Sequence, residues 1–539
     1  MSEPAAPDVS HGPAFGPEAL TPTLFLDRSA LVFGDRTALI DGQRRFTYRE
    51  LRDRCTRLAG ALAEAGVRPG DRVSTLVPNT HAALESHFGV PWAGGVLNPL
   101  NIRLAAAELT WIVNHAGSRV LLCDHTLADV GEAVAAAADH PVRLILSGEP
   151  DDDYEQRLAA AEPLSLDVAD EWAMLSLNYT SGTTGRPKGV MYSHRGAYLQ
   201  ALANLAGGRL DAASVFLWTL PMFHCNGWCY PWAVTAAGGV HVALRHVEPE
   251  AVWSAIDRRG VTHFNAAPTV LTMLAAHPAT APAAAPVQVA VGGAPPSPSL
   301  LARLAGLNLH VTHLYGLTES YGPAVICDWR PEWDALPAAE QARRKARQGV
   351  ANVACSPLRV TDAAGWDVPA DGATPGEVLL RGNVVMLGYY RDPDATAAAT
   401  LQRPDGAWFR TGDVGVVHPD GYMEVRDRAK DVIISGGENI ASIEVEQTLA
   451  RHPGVLEAAV VGAPDEFWGE VPVAFVALRP GASPSEQELI DFVQGALARF
   501  KAPKQVIFGG LPKTSTGKIQ KFALRERLRA EAGQRPQVS

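Results

Sequence analysis

Between Thr180 and Lys188 the chain reads Thr-Ser-Gly-Thr-Thr-Gly-Arg-Pro-Lys. Small residues packed this tightly let backbone N–H groups and hydroxyls converge on an anion, which is the composition of a phosphate-holding loop. The common nucleotide loop would place Ser or Thr directly after the lysine, whereas Gly189 follows Lys188. The candidate phosphate ligands are therefore Thr180, Ser181, Gly182, Thr183, Thr184, Gly185 and Lys188, in a loop of a different kind. More chemistry-bearing segments follow in order: Gly292-Gly293-Ala294-Pro295, YGLTES at Tyr315–Ser320, RTGD at Arg410–Asp413, DRAKDVIISGGENI from Asp427, and PKTSTGKIQK at Pro512–Lys521.

In this order the segments resemble the acyl-adenylate-forming superfamily of AMP-dependent synthetases and ligases, over about residues 25 to 525. The superfamily includes acyl-CoA synthetases, peptide-synthetase adenylation domains and luciferases. The resemblance implies that a carboxylate attacks the α-phosphorus of ATP, pyrophosphate leaves, and an acyl-adenylate remains. The 180–188 loop would then hold the departing phosphates. By the same resemblance Glu319 binds Mg²⁺, a cation that prefers hard oxygen ligands, and Thr318 donates to the α-phosphate. Tyr315 and Gly316 would lie on one side of the adenine, with Gly292, Gly293, Ala294 and Pro295 on the other. Asp413 would accept the ribose hydroxyls, and Arg428 would contact ribose or phosphate. Lys518, in the loop TSTGK, would meet the charge that develops at the α-phosphate. Lys430 matches the hinge position about which the C-terminal domain turns, and Gly436 and Gly437 would leave room for the pantetheine arm of CoA.

The stretch PMFHCNGWCYPW, Pro221–Trp232, should line the acyl pocket. His224 matches a gate between that pocket and the thiol path, and Asn226, Trp228, His313 and Tyr321 are the expected lining, with Trp228 bulky enough to shorten it. Cys225 and Cys229 lack the spacing of a zinc site. Relatives that activate amino acids carry an aspartate after a phenylalanine here; this chain has Phe223-His224, so an ammonium would lack its partner. The implied activity is an ATP-dependent acid–CoA ligase, similar to the branch of methylmercaptopropionyl-CoA and short- to medium-chain or aromatic acyl-CoA ligases. An adenylating enzyme with another acceptor (a carrier protein, an amine, or an aryl amine after nitrite activation) is the alternative.

These residues need a scaffold of several parts, and a chain of 539 residues with 47% hydrophobic and 19% charged content is too long for one core. Helical patterns such as Leu51–Val67 alternate with short apolar runs such as RVSTLVP and SRVLLCD, the mark of helices laid on parallel strands. From about Pro375 short alternating runs read as a β-rich subdomain, and another shift follows Arg428. The expectation is an α/β N-terminal domain, residues 1–427, with that subdomain, and a small mobile α+β domain, residues 428–539. A formal charge of −11 argues against a nucleic-acid partner. Six scattered cysteines without a C-x-x-C pair indicate a reducing compartment. No window of apolar residues is long enough to span a membrane, the N-terminus has no signal pattern, and the terminal PQVS is no peroxisomal address, so a cytoplasmic protein is expected. The expected partners are the acid, ATP and CoA, and a homodimer is left open.

Overall fold

The computed structural model describes residues 18–150, 152–180, 187–278, 280–293, 296–428, 431–435, 438–465, 468–514 and 518–533. Two large sheets form the N-terminal part. One has six strands in the order Arg143–Ser147, Ser118–Asp124, Arg72–Leu76, Val96–Pro99, Met174–Tyr179 and Gly189–Ser193, all parallel except the last. The other has nine, with a parallel centre running from Thr37–Asp41 through Val240–Val242, Val215–Leu217, His263–Ala266 and Val287–Val291 to Leu309–Leu317. Its edges are antiparallel, Arg44–Thr47 at one side and Gly322–Ile326 with Val350–Ala351 at the other. Runs such as Val287-Gln-Val-Ala-Val291 lack a clean polar face, as strands covered on both sides by helices require.

Helix Tyr48–Glu64 starts at a capping box, with Thr47 and Glu50 satisfying each other's backbone N–H groups. It packs on helix His81–Trp92, whose twelve residues are all buried. That burial brings charge inside. His81 Nδ1 meets Asp41 at 2.7 Å and its Nε2 faces Glu155 at 3.3 Å, while Arg54 bridges Glu85 at 2.5 Å and Glu155 at 2.8 Å. Tyr154 donates to Glu85 and Arg44 to Glu155, so the buried charges are paired. Burial alone would push His81 down, but its bonds to Asp41 and Glu155 raise it to about 9.

A third, antiparallel sheet joins Arg359–Thr361, Gly376–Leu380, Gly406–Val417, Thr400–Arg403 and Met423–Arg428. This is the expected β-rich subdomain, except that it begins at Arg359 rather than near Pro375. The last sheet, Glu438–Ile440, Ile433–Ser435, Gly469–Leu478, Val455–Asp465 and Gln505–Phe508, carries helices Ser442–Leu449, Glu486–Ala496 and Lys521–Gly533. It encloses its own core around Val445, Leu449, Val460, Val476 and Leu489. The fold is thus a large α/β N-terminal domain followed by a small α+β domain.

Candidate active site

The glycine-rich loop leaves strand Met174–Tyr179 and re-enters strand Gly189–Ser193, and its ends are tied together. Thr180 N–H donates to the Lys188 carbonyl at 3.0 Å, and Lys188 N–H donates to Thr180 Oγ1 at 3.4 Å. Ser181, Gly182, Thr183, Thr184 and Gly185 lie outside the described residues, as do Ala294, Pro295, Lys430, Gly436 and Gly437. The Lys188 ammonium stands 4.8 Å from the ring centre of Tyr389, and the Tyr389 hydroxyl donates to Glu319 Oε1 at 2.7 Å. A single phenol therefore connects the loop lysine to the candidate metal carboxylate. Nothing in the local sequence VMLGYYRD marks Tyr389 as a site residue; only the chain's return past Gly189, where Tyr390 N–H bonds the Gly189 carbonyl, brings it there.

Thr318 and Glu319 occupy one tight turn, Thr318–Ser320, after strand Leu309–Leu317. Three neighbours hold it. Tyr192 donates to the Thr318 carbonyl at 2.5 Å, Cys225 Sγ lies 3.3 Å from Thr318 Oγ1, and Met386 N–H donates to the Glu319 carbonyl at 2.8 Å. Gly316 has no room for a side chain, since a Cβ there would lie 1.8 Å from the Gly322 carbonyl oxygen. Gly293, at φ +88°, turns the chain with open space beside it, as a close backbone approach to a ligand needs.

Asp413 is a crossing point. Its Oδ2 accepts from the Tyr315 hydroxyl at 2.6 Å and its Oδ1 from Arg428 Nε at 2.7 Å. Each carboxylate oxygen has another lone pair, so two further donors, such as vicinal hydroxyls, can be accepted. Burial and the Asp413 charge hold the Tyr315 hydroxyl well above its ordinary range, so it stays a donor.

From the C-terminal domain Lys518 reaches the same cleft. Its loop is also closed at the neck, with Thr514 N–H donating to the Lys518 carbonyl at 2.7 Å and Lys518 N–H to Thr514 Oγ1 at 3.1 Å. The residue keeps solvent access, but the protein around its ammonium pushes it down to about 8 by desolvation; Arg428 adds to the fall, while Asp413 and Asp431 oppose it. Burial, and then the Lys518 charge, push His224 down to about 4, so its imidazole is neutral at pH 7.

The acyl side holds the least expected feature. Cys225, Asn226, Gly227, Trp228 and Cys229 all have positive φ, from +45° to +63°, a left-handed turn in which four of the five are not glycine. Such backbone costs about 1–2 kcal/mol per non-glycine residue. Its anchors are visible: Asn226 Oδ1 accepts from Ser176 Oγ at 2.8 Å and Asn178 Nδ2 at 2.6 Å, and the Trp228 carbonyl accepts from Asn204 at 2.6 Å. The turn drives the Trp228 indole between two glycines. A Cβ on Gly292 would lie 2.8 Å from Trp228 Cη2, and one on Gly322 would lie 3.0 Å from Trp228 Cδ1.

Three further expected pocket residues, Asn226, His313 and Tyr321, are buried and bonded to the surrounding protein. Asn226 has no exposed surface and braces the turn from beneath. His313 is buried and its Nδ1 bonds the Ala346 carbonyl at 2.9 Å. Tyr321 has no exposed surface either, stacks on Tyr192 at 3.9 Å and receives the Ser193 N–H at 2.5 Å. His313 and Tyr321 bond backbone groups, whereas Asn226 bonds two side chains and its buried Nδ2 has no partner among the described residues.

With this geometry in view, the profile of the AMP-binding enzyme family matches residues 26–390, and that of the AMP-binding enzyme C-terminal domain matches residues 444–518. The chain belongs to the AMP-binding enzyme family. Among curated relatives it is 45% identical over 532 residues to a 2-methylpropanoate–CoA ligase of Humulus lupulus, covering 95% of each chain. It is 44% identical over 544 residues to a peroxisomal acetate/butyrate–CoA ligase of Arabidopsis thaliana, again covering 95% of each. Among solved structures, ATP-bound MatB from Rhodopseudomonas palustris superimposes with a TM-score of 0.82 at 29% identity, over 94% of this chain and 99% of that one. An anthranilate CoA ligase in complex with anthranoyl-AMP gives 0.84 at 26% identity, over 96% and 99%. The chain is an AMP-forming acid–CoA ligase of this family, and no helix among its described residues is long and apolar enough to cross a membrane.

Proposed function

We propose that the protein activates a short, uncharged-tail carboxylic acid with ATP, releases pyrophosphate, and transfers the acyl group to CoA. The observation that carries this reading is the convergence of Thr318, Glu319 and Asp413 from one domain with Arg428 and Lys518 from the other, on a site bordered by Trp228. Thr180 and Lys188, with the loop between them, would hold the departing phosphates. Thr318, whose hydroxyl is oriented by Cys225, would donate to the α-phosphate. Asp413 would take the ribose hydroxyls on its remaining lone pairs, and Tyr315 would lie along the adenine. Lys518 would offset the charge growing on the α-phosphate and bridging oxygen.

Glu319 suits Mg²⁺: Oε1 carries the Tyr389 bond, and among the described residues no donor reaches Oε2. The ion would neutralise phosphate charge, held by this carboxylate together with phosphate oxygens. Neutral His224 would stand as an uncharged gate toward the thiol path, with Gly436 and Gly437 beside the pantetheine arm. We place the domain boundary between Asp427 and Arg428 and the hinge at Lys430. Six free thiols support a reducing, cytoplasmic location.

The indole between Gly292 and Gly322 favours short acids, because the space a long chain would need is filled. The test is pyrophosphate and AMP release across straight-chain, branched and aromatic acids, with and without CoA. Acid-dependent pyrophosphate release without CoA, completed to thioester when CoA is added, is the expected outcome. Acid-dependent release with transfer only to an amine or a carrier protein would overturn the choice of acceptor, and best turnover with long-chain acids would overturn the pocket assignment.

A further inference from the structure

The two domains meet through a buried carboxylate that the proposed catalytic roles do not use. Asp427 lies on strand Met423–Arg428, the last of the β-rich subdomain, and is only 1% exposed. Its Oδ1 accepts the Arg428 N–H at 2.8 Å. Its Oδ2 accepts both the backbone N–H and the hydroxyl of Ser442, each at 2.6 Å. Ser442 opens helix Ser442–Leu449 of the C-terminal domain, so Asp427 takes one of the orphan donors at that helix start from across the domain boundary.

The same knot reaches the catalytic loop. Lys521, three residues beyond Lys518, bonds Ser442 Oγ and pairs with Glu446 at 2.8 Å on the same helix. The Glu446 and Asp427 carboxylates outweigh burial and hold the Lys521 ammonium above its ordinary value. One turn further on, Arg525 pairs with Asp431. A cavity of about 180 Å³ lies between Leu300 and Arg303 of one domain and Leu456 and Arg479 of the other.

We propose that Asp427 is the positioning residue for Lys518: by fastening Ser442, and through it Lys521, to the nucleotide-binding domain, it holds Lys518 beside Asp413 and Arg428 for the adenylation step. This rests on the ligase reading above. Asp427 touches neither acid nor nucleotide and acts only through the lysine, so its loss weakens the half-reaction that uses Lys518 and spares the other.

The test uses the full-length enzyme with Asp427→Asn and Ser442→Ala, each combined with Lys518→Ala. ATP–pyrophosphate exchange reports adenylation, and thioester formation from supplied acyl-AMP and CoA reports the second step. Asp427→Asn weakens a charge-assisted pair of hydrogen bonds, so exchange kcat should fall roughly tenfold to a hundredfold while the thioester rate holds. Ser442→Ala keeps the backbone bond and should show a smaller loss of the same kind. In the Lys518→Ala background both effects should vanish, because a residue acting through Lys518 has nothing left to position. Equal loss in both half-reactions, additive losses in the double variants, or unchanged exchange would each overturn the assignment; should Asp427→Asn fail to fold, Ser442→Ala decides alone. Absence of acid-dependent exchange in the unmutated protein would instead overturn the ligase reading on which it rests.

Discussion

Truncating Trp228 to alanine puts the pocket assignment to its hardest test. The indole lies against Gly292 at one end and Gly322 at the other, positions where even a methyl group would collide with it, so no neighbour can collapse into the vacated space without moving backbone. The variant should therefore open a cavity on the order of 150 Å³, a size that admits a benzene-like group. Loss of a buried tryptophan costs about 3–5 kcal/mol, which is tolerable only within a typical total of about 5–15 kcal/mol. Unfolding midpoints and ATP affinity must accordingly be measured beside activity. Each methylene seated in an apolar pocket is worth about 1–3 kcal/mol. Two extra methylenes in the new space then favour a longer acid by at least about 2 kcal/mol, roughly thirtyfold in relative kcat/KM. The assay is kcat/KM for straight-chain acids of two to ten carbons on both proteins. The preferred length should increase, the short acids falling while the longer ones rise. A uniform fall at unchanged preference would refute the reasoning and leave Trp228 as scaffold.

Lys518→Ala should lower acyl-AMP formation by roughly 10²–10³-fold while thioester formation from supplied acyl-AMP persists; equal loss in both steps of a folded variant would contradict the division of labour. Because Lys518 must be protonated to meet phosphate charge and its ammonium is pushed down to about 8, adenylation kcat/KM should fall as pH rises through about 8, and Lys518→Arg should remove that limb. His81, raised to about 9 by Asp41 and Glu155, contributes stability that is fully present below its unfolded value near 6.5 and is lost as pH climbs through 9. The stability difference between the unmutated protein and His81→Gln should therefore shrink by about 3 kcal/mol from pH 6 to pH 9.5, and a flat difference in denaturation midpoints would show that the buried pair carries no proton linkage.

The fold was legible because its signals are periodic. Apolar runs such as Val287–Val291 and the Thr47/Glu50 cap of helix Tyr48–Glu64 declare strands and helices locally, and the texture change before Met423–Arg428 declares the β-rich subdomain. The family was legible in a different way, through the order of short motifs. What escaped was whatever depends on the path of the chain. Tyr389 reaches Glu319 from seventy residues away, a separation at which no spacing rule operates. The left-handed turn at 225–229 escaped because Cys, Asn and Trp carry no left-handed signal strong enough to predict five such residues in succession. At Asn226, His313 and Tyr321 residue type shows which groups can hydrogen-bond, and only the fold shows that their partners are Ser176 and Asn178, the Ala346 carbonyl and the Ser193 N–H.

The left-handed turn also explains how a site can be tight without being soft. Four non-glycine residues in that conformation store about 4–8 kcal/mol, and a segment with nothing to hold it would relax. Here Asn226 is bonded to Ser176 and Asn178 on the strand that runs directly into the glycine-rich loop, while Cys225, next to it in the turn, lies on Thr318. The strain is thus balanced by contacts to strand Met174–Tyr179 and to the turn at Thr318. Any acid large enough to displace Trp228 must push on the turn, and the push is delivered to Thr318 on one side and to strand Met174–Tyr179 on the other. An oversized acid is therefore penalised twice, once by the space it lacks and again by the displacement of Thr318 and of the strand that leads into the glycine-rich loop, so size selection should appear in kcat as well as in KM.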